Sequence, residues 1–134
     1  MKTQLSLNWI RLAVLAAVST LPGMAACTYS ASANAPTLGP AGGYVSVSVW
    51  TQPGCRWSVN RPVAWMAPSS MYNTGSGTVY FYVASTRTAR SVMEHVYSDY
   101  ISGEYSLSDG TIGGRSSVTG QLMRPILQFR VTEN

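Results

Sequence analysis

The chain has 134 residues, of which 46% are hydrophobic and only 10% are charged, a length that suits one domain better than two. So low a charged fraction argues against a disordered acidic or basic chain, because such segments carry many charges and few aromatic side chains. The formal net charge is +4, but the arginines after Cys27 are scattered singly, which argues against nucleic-acid binding.

The first 26 residues have the order of a secretory signal peptide. Lys2 and Arg11 supply positive charge, residues 12–21 form an uncharged apolar run, and small residues follow. This apolar run is too short to cross a membrane, which takes ~20 residues, and no second run follows. We therefore predict export to the periplasm or the exterior, with residues 27–134 as a single mature domain without a transmembrane span.

Cys27 has two competing interpretations. Met24-Ala25-Ala26-Cys27 resembles a bacterial lipobox, which would make the protein an outer-membrane lipoprotein anchored through Cys27. Ordinary cleavage, for example after Ala25, would leave Cys27 free to pair with Cys55, the only other cysteine. Two cysteines in an exported domain more often form a disulfide than remain free, so we favour the disulfide and keep the lipid anchor as the alternative.

The mature chain is predicted to be all-β, because apolar residues recur at every second position in short runs. In residues 44–50 three valines face one way, while Tyr44 and Trp50 face the other. In residues 78–84 Tyr80 and Tyr82 lie opposite an apolar row. The predicted strands of this half of the chain are residues 44–50, 55–59, 63–66 and 78–84, with a Gly/Ser loop over residues 69–77.

After Arg90 the alternation is weaker. Residues 91–97 and 126–132 are predicted strands. Asp109-Gly110 predicts the turn of a hairpin between residues 105–107 and 111–112. Residues 113–120 are predicted to form a loop. Strands at this spacing, separated by turn signals, favour a small β-sandwich.

Several motifs follow one another in a recognisable order: Cys27-Thr28-Tyr29-Ser30, Gly42-Gly43, residues 45–51, Cys55-Arg56-Trp57, Trp65, Gly75-Ser76-Gly77-Thr78-Val79, Phe81-Tyr82-Val83-Ala84 and Ala89-Arg90-Ser91. This order resembles the BACON domain, a bacterial immunoglobulin-like β-sandwich found in exported proteins and attached to many carbohydrate-active enzymes. The likeness covers residues 27–91 and returns at residues 129–132. Residues 92–126 form a longer segment than the family's short final hairpin.

The resemblance implies an immunoglobulin-like β-sandwich of about seven to eight strands, with an extra hairpin or long loop near the C-terminus. It implies binding of carbohydrate or glycoprotein, with no cofactor and no catalytic residues. It places Cys27 inside the first strand, which supports the pairing with Cys55. It also matches Trp57 and Trp65 to core tryptophans and Arg90 to a structural arginine at the start of a strand.

Catalytic and metal sites have little support in the sequence. His95 is the only histidine, and two cysteines with one histidine fall short of a four-ligand zinc site. A glycosidase needs two carboxylates facing each other across a cleft, which a small sandwich does not favour. We expect a surface position for each of the five acids, Glu94, Asp99, Glu104, Asp109 and Glu133. The prediction is a protein that is not an enzyme and holds no metal.

Aromatic side chains are more informative, because sugars present flat C–H faces that stack on Trp and Tyr rings. The candidate glycan-stacking residues are Trp50, Tyr80, Tyr82 and Tyr72. An alternative is that outward tyrosines only stabilise the sheet, where cross-strand pairs contribute ~0.2–1 kcal/mol. The sequence thus predicts a module that binds carbohydrate or glycoprotein, and the alternative is a structural or adhesive cell-surface spacer without a small ligand.

Arginines offer a second way to bind glycans, through salt-sensitive contacts with acidic sugars. We expect the arginines concerned to serve instead as ordinary solubilising charges. These are Arg56, Arg61, Arg87 and Arg90.

Overall fold

The computed structural model describes residues 26–34 and 36–134. All but the last residue of the predicted signal peptide therefore lies outside the described residues. Within them the protein is all-β, with twelve strands and no helix that could span a membrane.

The strands form three sheets. In chain order they are β1 (Ser30–Asn34), β2 (Thr37–Leu38), β3 (Gly43–Trp50), β4 (Arg56–Val59), β5 (Met66–Pro68), β6 (Tyr72–Thr74), β7 (Gly77–Val83), β8 (Arg90–Tyr97), β9 (Ile101–Ser106), β10 (Ile112–Ser116), β11 (Leu122–Met123) and β12 (Leu127–Glu133). The four-stranded sheet has the order β1-β3-β7-β5, the five-stranded sheet β2-β12-β8-β4-β6 and the three-stranded sheet β11-β10-β9. The pairing of β2 with β12 is parallel, and the other pairings are antiparallel.

One hydrophobic core is shared by the two larger sheets. Alternation along β3 and β7 turns every second side chain inward, where it is excluded from water. The five-stranded sheet supplies the opposing side chains, which is consistent with a sandwich-like arrangement. The fully buried members are Val45, Val47, Val49, Met66, Val79, Phe81 and Val83 from the first sheet and Trp57, Val59, Val96 and Val131 from the second.

Five strands were predicted correctly to within one residue at either end. They are residues 44–50, 55–59, 78–84, 91–97 and 126–132, which correspond to β3, β4, β7, β8 and β12. The structure has twelve strands, more than the expected seven to eight. The additional strands are very short, with two or three residues in each of β2, β5, β6 and β11, or belong to the third sheet.

Two predictions in the middle of the chain were wrong. The strand expected at residues 63–66 begins only at Met66, where β5 pairs with the end of β7. The loop expected at residues 69–77 contains β6, which pairs with β4. Gly75, at a φ of 73°, turns the chain after β6 and donates its N–H to the Cys55 carbonyl at 2.9 Å. Such short strands depend on pairing with distant segments, so local alternation does not reveal them.

The predicted Asp109-Gly110 hairpin is present, but the loop expected at residues 113–120 was wrong for residues 113–116 and correct for residues 117–120. β10 covers Ile112–Ser116 and joins β9 to β11, which makes the extra hairpin a small sheet. Two glycines give β10 no alternation that a sequence pattern could show. They allow close packing, since a Cβ on Gly114 would lie 2.7 Å from Cγ2 of Ile101.

A disulfide joins Cys27 to Cys55, with the two Cα atoms 5.8 Å apart. Cys27 precedes β1, so its expected place inside the first strand was wrong. Side-chain contacts hold this segment instead of strand pairing. The Tyr29 hydroxyl lies 2.6 Å from the Arg56 carbonyl and 2.9 Å from that of Ser98, and either can accept its proton. The bridge therefore ties the start of the chain to β4 without lengthening β1.

Candidate functional site

The outward side of the four-stranded sheet carries the candidate site. The register pairs Tyr44 with Tyr82, Ser46 with Tyr80 and Ser48 with Thr78, and paired residues of antiparallel strands point to the same side. We call this surface the outer face; its side chains are Ser30, Ser32, Asn34, Tyr44, Ser46, Ser48, Trp50, Thr78, Tyr80 and Tyr82.

Three tyrosines lie together at one end of the outer face. The rings of Tyr44 and Tyr82 have centroids 5.7 Å apart and planes inclined at 59°. Tyr80 follows on the same side of β7, two residues before Tyr82. The exposed fractions are 64% for Tyr44, 53% for Tyr80 and 51% for Tyr82, so about half of each side chain is available for contact. We call these residues the tyrosine cluster.

Trp50 lies at the other end of β3 and is 53% exposed. It borders a hollow of about 380 Å³ whose other walls are mainly polar. Hydrogen bonds hold these walls in place, because the Thr28 amide donates to Gln52 Oε1 at 2.9 Å and the Thr51 amide donates to Ser76 Oγ at 2.9 Å. Trp50 therefore lies beside a polar hollow whose walls are held in place by hydrogen bonds.

Small hydroxyl side chains separate Trp50 from the tyrosine cluster. Ser46 and Ser48 project outward from β3, and Thr78 projects from β7. The hydroxyls of Ser48 and Thr78 are 3.0 Å apart and share a hydrogen bond. This strip can offer donors and acceptors to a ligand that spans the two aromatic ends.

The four strands of this sheet contain no acidic, basic or histidine residue. Charged side chains of the described chain lie on the other two sheets and on loops. Two of these charged residues are arginines that form ion pairs: Arg56 lies 3.1 Å from Asp99, and Arg90 lies 2.8 Å from Glu133. Arg56, expected only to solubilise the surface, therefore also makes an ion pair, as does Arg90, for which the resemblance implied a structural role.

Tyr72, the fourth candidate for stacking, lies on β6 in the five-stranded sheet and not on the outer face. It packs edge-on against Tyr100, with centroids 5.3 Å apart, and its hydroxyl donates to the Ile101 carbonyl at 3.3 Å. The structure thus brings Trp50, Tyr80 and Tyr82 onto one surface and leaves Tyr72 on another. Tyr44, which the alternation of residues 44–50 placed on the same side as Trp50, joins the first group.

The two tryptophans expected in the core differ in burial. Trp57 is 1% exposed, and its indole N–H donates to the Gly75 carbonyl at 2.7 Å. Trp65 is half-buried against the core, and the Arg90 guanidinium lies 4.2 Å from its ring centroid. Arg90 begins β8 and links Trp65 to Glu133, which is the structural position that the resemblance implied.

Glu94 and Glu133 are fully buried, so the surface positions expected for them were wrong. Glu94 alternates with Val92 and Val96 along β8 and therefore points toward the core. Burial raises the pKa of Glu94 to about 9 against the opposing effect of a backbone hydrogen bond, and the nearby Glu104 carboxylate raises it further. Glu94 is therefore protonated at neutral pH. The burial of Glu94 could have been predicted from the sequence, because Glu94 alternates with Val92 and Val96.

On the other side of β8, polar side chains join it to β9. The Glu104 carboxylate accepts hydrogen bonds from Asn60 Nδ2 at 2.6 Å and from the Tyr97 hydroxyl at 2.7 Å. His95 Nδ1 lies 3.3 Å from the same carboxylate but is not aligned to hydrogen-bond with it. Burial, helped by the accepting carboxylate, raises the pKa of Tyr97, which keeps the hydroxyl a donor. These contacts fasten the three-stranded sheet to the five-stranded one.

No group of three or more His, Cys, Asp or Glu side chains within residues 26–34 and 36–134 is arranged to hold a metal ion. Comparisons of the chain with protein-family models, with curated proteins and with solved structures found no match.

Proposed function

We propose that this protein is a non-catalytic, exported module that binds carbohydrate or glycoprotein through its outer face. The observation that carries the proposal is the half-exposed aromatic set on an uncharged sheet, namely Trp50 with the tyrosine cluster. Exposed aromatic groups of this kind are typical of interaction surfaces.

The chemistry of the outer face suits sugars. The C–H faces of a pyranose ring stack on tyrosine and tryptophan rings, which offer a large apolar area and a polar edge. The hydroxyls of Ser46, Ser48 and Thr78 can exchange hydrogen bonds with the hydroxyls of a sugar. A surface that combines rings with small neutral polar groups therefore matches an amphipathic sugar better than a purely apolar partner.

We also propose an immunoglobulin-like sandwich of the BACON type for the fold. Support comes from strand order, because β1-β3-β7-β5 packed with β12-β8-β4 parallels the ABED and GFC sheets of immunoglobulin domains. Export is proposed from the signal-like first 26 residues, and the Cys27–Cys55 disulfide fits an oxidising compartment.

A structural or adhesive spacer at the cell surface is the second candidate. One observation favours it, since the contact between Tyr44 and Tyr82 is a cross-strand pair that stabilises a sheet without any ligand. A lipid anchor on Cys27 belongs to this candidate and would require the bridge to Cys55 to be absent.

Retention of the oxidised protein by a panel of polysaccharides and mucin-type glycoproteins tests the proposal. We expect saturable retention that Tyr82→Ala reduces about tenfold, which corresponds to the loss of one stacked ring. Tyr72→Ala is the matched control, because Tyr72 is 52% exposed but lies in the five-stranded sheet, and it should leave retention unchanged. No retention across the panel would favour the spacer, and equal losses in both variants would contradict a site on the outer face.

A further inference from the structure

We infer that the ligand of the outer face is an extended, uncharged glycan chain that lies along β3 and β7 and contacts both Trp50 and the tyrosine cluster. This inference rests on the proposed function, because it specifies the ligand class of the same surface.

The separation of the aromatic ends indicates the length of the ligand. Tyr44 and Trp50 are six residues apart on β3, which at the rise of an extended strand places them about 20 Å apart. Both side chains point to the same side of the sheet. A single sugar or a disaccharide covers only one end, so a chain of several sugars is needed to use both.

The surface between the two ends is suited to a chain lying across it. Ser46, Ser48 and Thr78 are small and lie between Trp50 and the Tyr44–Tyr82 pair, so they leave the sheet surface accessible between the rings. The hollow of about 380 Å³ beside Trp50 lies at the end of β3. An extended chain can therefore stack at its ends and make hydrogen bonds between them.

Charge distribution indicates a neutral ligand. The four strands of this sheet supply no cation to pair with a uronate or sulfate group. Every arginine of the described residues lies outside those strands, and Arg56 and Arg124 are already paired with Asp99 and Asp109. The charged groups of an acidic glycan would lose hydration on this surface without gaining an ion pair, whereas the hydroxyls of a neutral glycan can exchange water for hydrogen bonds to Ser46, Ser48 and Thr78.

Calorimetric titration with neutral oligosaccharides of increasing length tests the inference. The probes are gluco-, manno- and xylo-oligosaccharides with β-1,4 linkages, from disaccharides to hexasaccharides, with oligogalacturonates as the acidic series. We expect affinity to rise about tenfold with length in at least one neutral series, since a second stacked ring is gained. Trp50→Ala should abolish the rise, whereas Tyr72→Ala should change neither the rise nor the affinity for the disaccharide.

Other outcomes would overturn the inference in distinguishable ways. Binding that does not depend on length, or that Trp50→Ala leaves intact, would refute an extended ligand while the proposed function stands. Tighter binding of oligogalacturonates that weakens with added salt would refute a neutral ligand and direct attention to the arginines. Absence of binding in every series, together with no retention by polysaccharides, would remove the proposed function as well.

Discussion

Glu94 is a carboxylic acid whose side chain is excluded from water and directed toward the core. One of its oxygens accepts a hydrogen bond from the His95 amide at 2.9 Å, while the other has no partner among the described residues. An ionised carboxylate in this position would be costly, so the group stays protonated in the folded protein. Residue-level electrostatics therefore link the stability of the whole fold to pH.

Stability should fall as the pH rises from 4.5 to about 9 because of Glu94. In this range the folded state retains the proton and the unfolded state releases it, so higher pH favours unfolding. Glu94→Gln replaces the titrating carboxyl group with an amide. Near pH 9 this variant should be more stable than the wild type by a few kcal/mol, since a shift of one pKa unit corresponds to ~1.4 kcal/mol. Urea unfolding at several pH values measures the difference, which should be smallest near pH 4.5. A difference that stays constant with pH would contradict this role.

Replacing Glu104 by glutamine should destabilise the protein, in contrast to the same replacement at Glu94. Its carboxylate accepts from both Asn60 and Tyr97, and an amide at this position would present one N–H₂ group to a donor. Glu104→Gln should therefore lower the free energy of unfolding by about 1–2 kcal/mol at neutral pH. Urea unfolding at neutral pH measures the free energy of unfolding of this variant, with Glu94→Gln as the comparison. A Glu104→Gln protein as stable as the wild type would show that the hydrogen bonds to Glu104 do not contribute to stability.

Much of the outer face was predictable residue by residue. Tyr80 and Tyr82 lie in a long strand with clear alternation, so their outward direction followed from the pattern. Tyr72 could not be placed in the same way, because β6 is three residues long and lies in a Gly/Ser segment. The contact between Tyr44 and Tyr82 depends on the register of strands that are distant in sequence, which no local pattern specifies.

At the level of elements, β10 shows how two glycines allow the third sheet to pack. Gly113 and Gly114 are both buried within the strand. A Cβ on Gly114 would lie 2.7 Å from Ile101 Cγ2 and 3.0 Å from Cε1 of the buried Tyr97 ring. The alternating burial of β3 and β7 made these strands predictable from the sequence, whereas β10 was missed because glycine has no side chain to alternate.

Gly114→Ala should destabilise the protein by about 1–3 kcal/mol, since the added methyl group must displace packed side chains. Gly39→Ala is the matched control, because a Cβ at Gly39 meets nothing within 4 Å. Thermal unfolding of both variants measures the effect. Equal melting temperatures for the two variants would contradict close packing of β10.

For the molecule as a whole, the Cys27–Cys55 disulfide closes a loop with a sequence separation of 28 residues. The chain-entropy estimate gives a stabilisation of about 3–4 kcal/mol for a loop of this size. Reduction should therefore lower the midpoint of thermal unfolding clearly, while a variant with both cysteines replaced by serine should start lower and not respond to reductant. Equal midpoints for the oxidised and reduced proteins would contradict this contribution.

Export and processing are a separate whole-molecule prediction. Intact mass of the protein purified from its native compartment, without reductant, should show cleavage near Ala26 and a mass lower by two hydrogens than that of the reduced chain. A diacylglyceryl mass on Cys27 would contradict the disulfide and support the anchored spacer.

Mapping the bound surface by NMR tests the central proposal most directly. The oxidised protein would be titrated with neutral β-1,4-linked hexasaccharides while backbone amide and aromatic ring signals are followed. We expect saturable shifts at Trp50, the tyrosine cluster and the Ser46–Ser48 strip, with little change at Tyr72. Shifts confined to the five-stranded sheet, or no shifts in any titration, would contradict a glycan-binding role for the outer face.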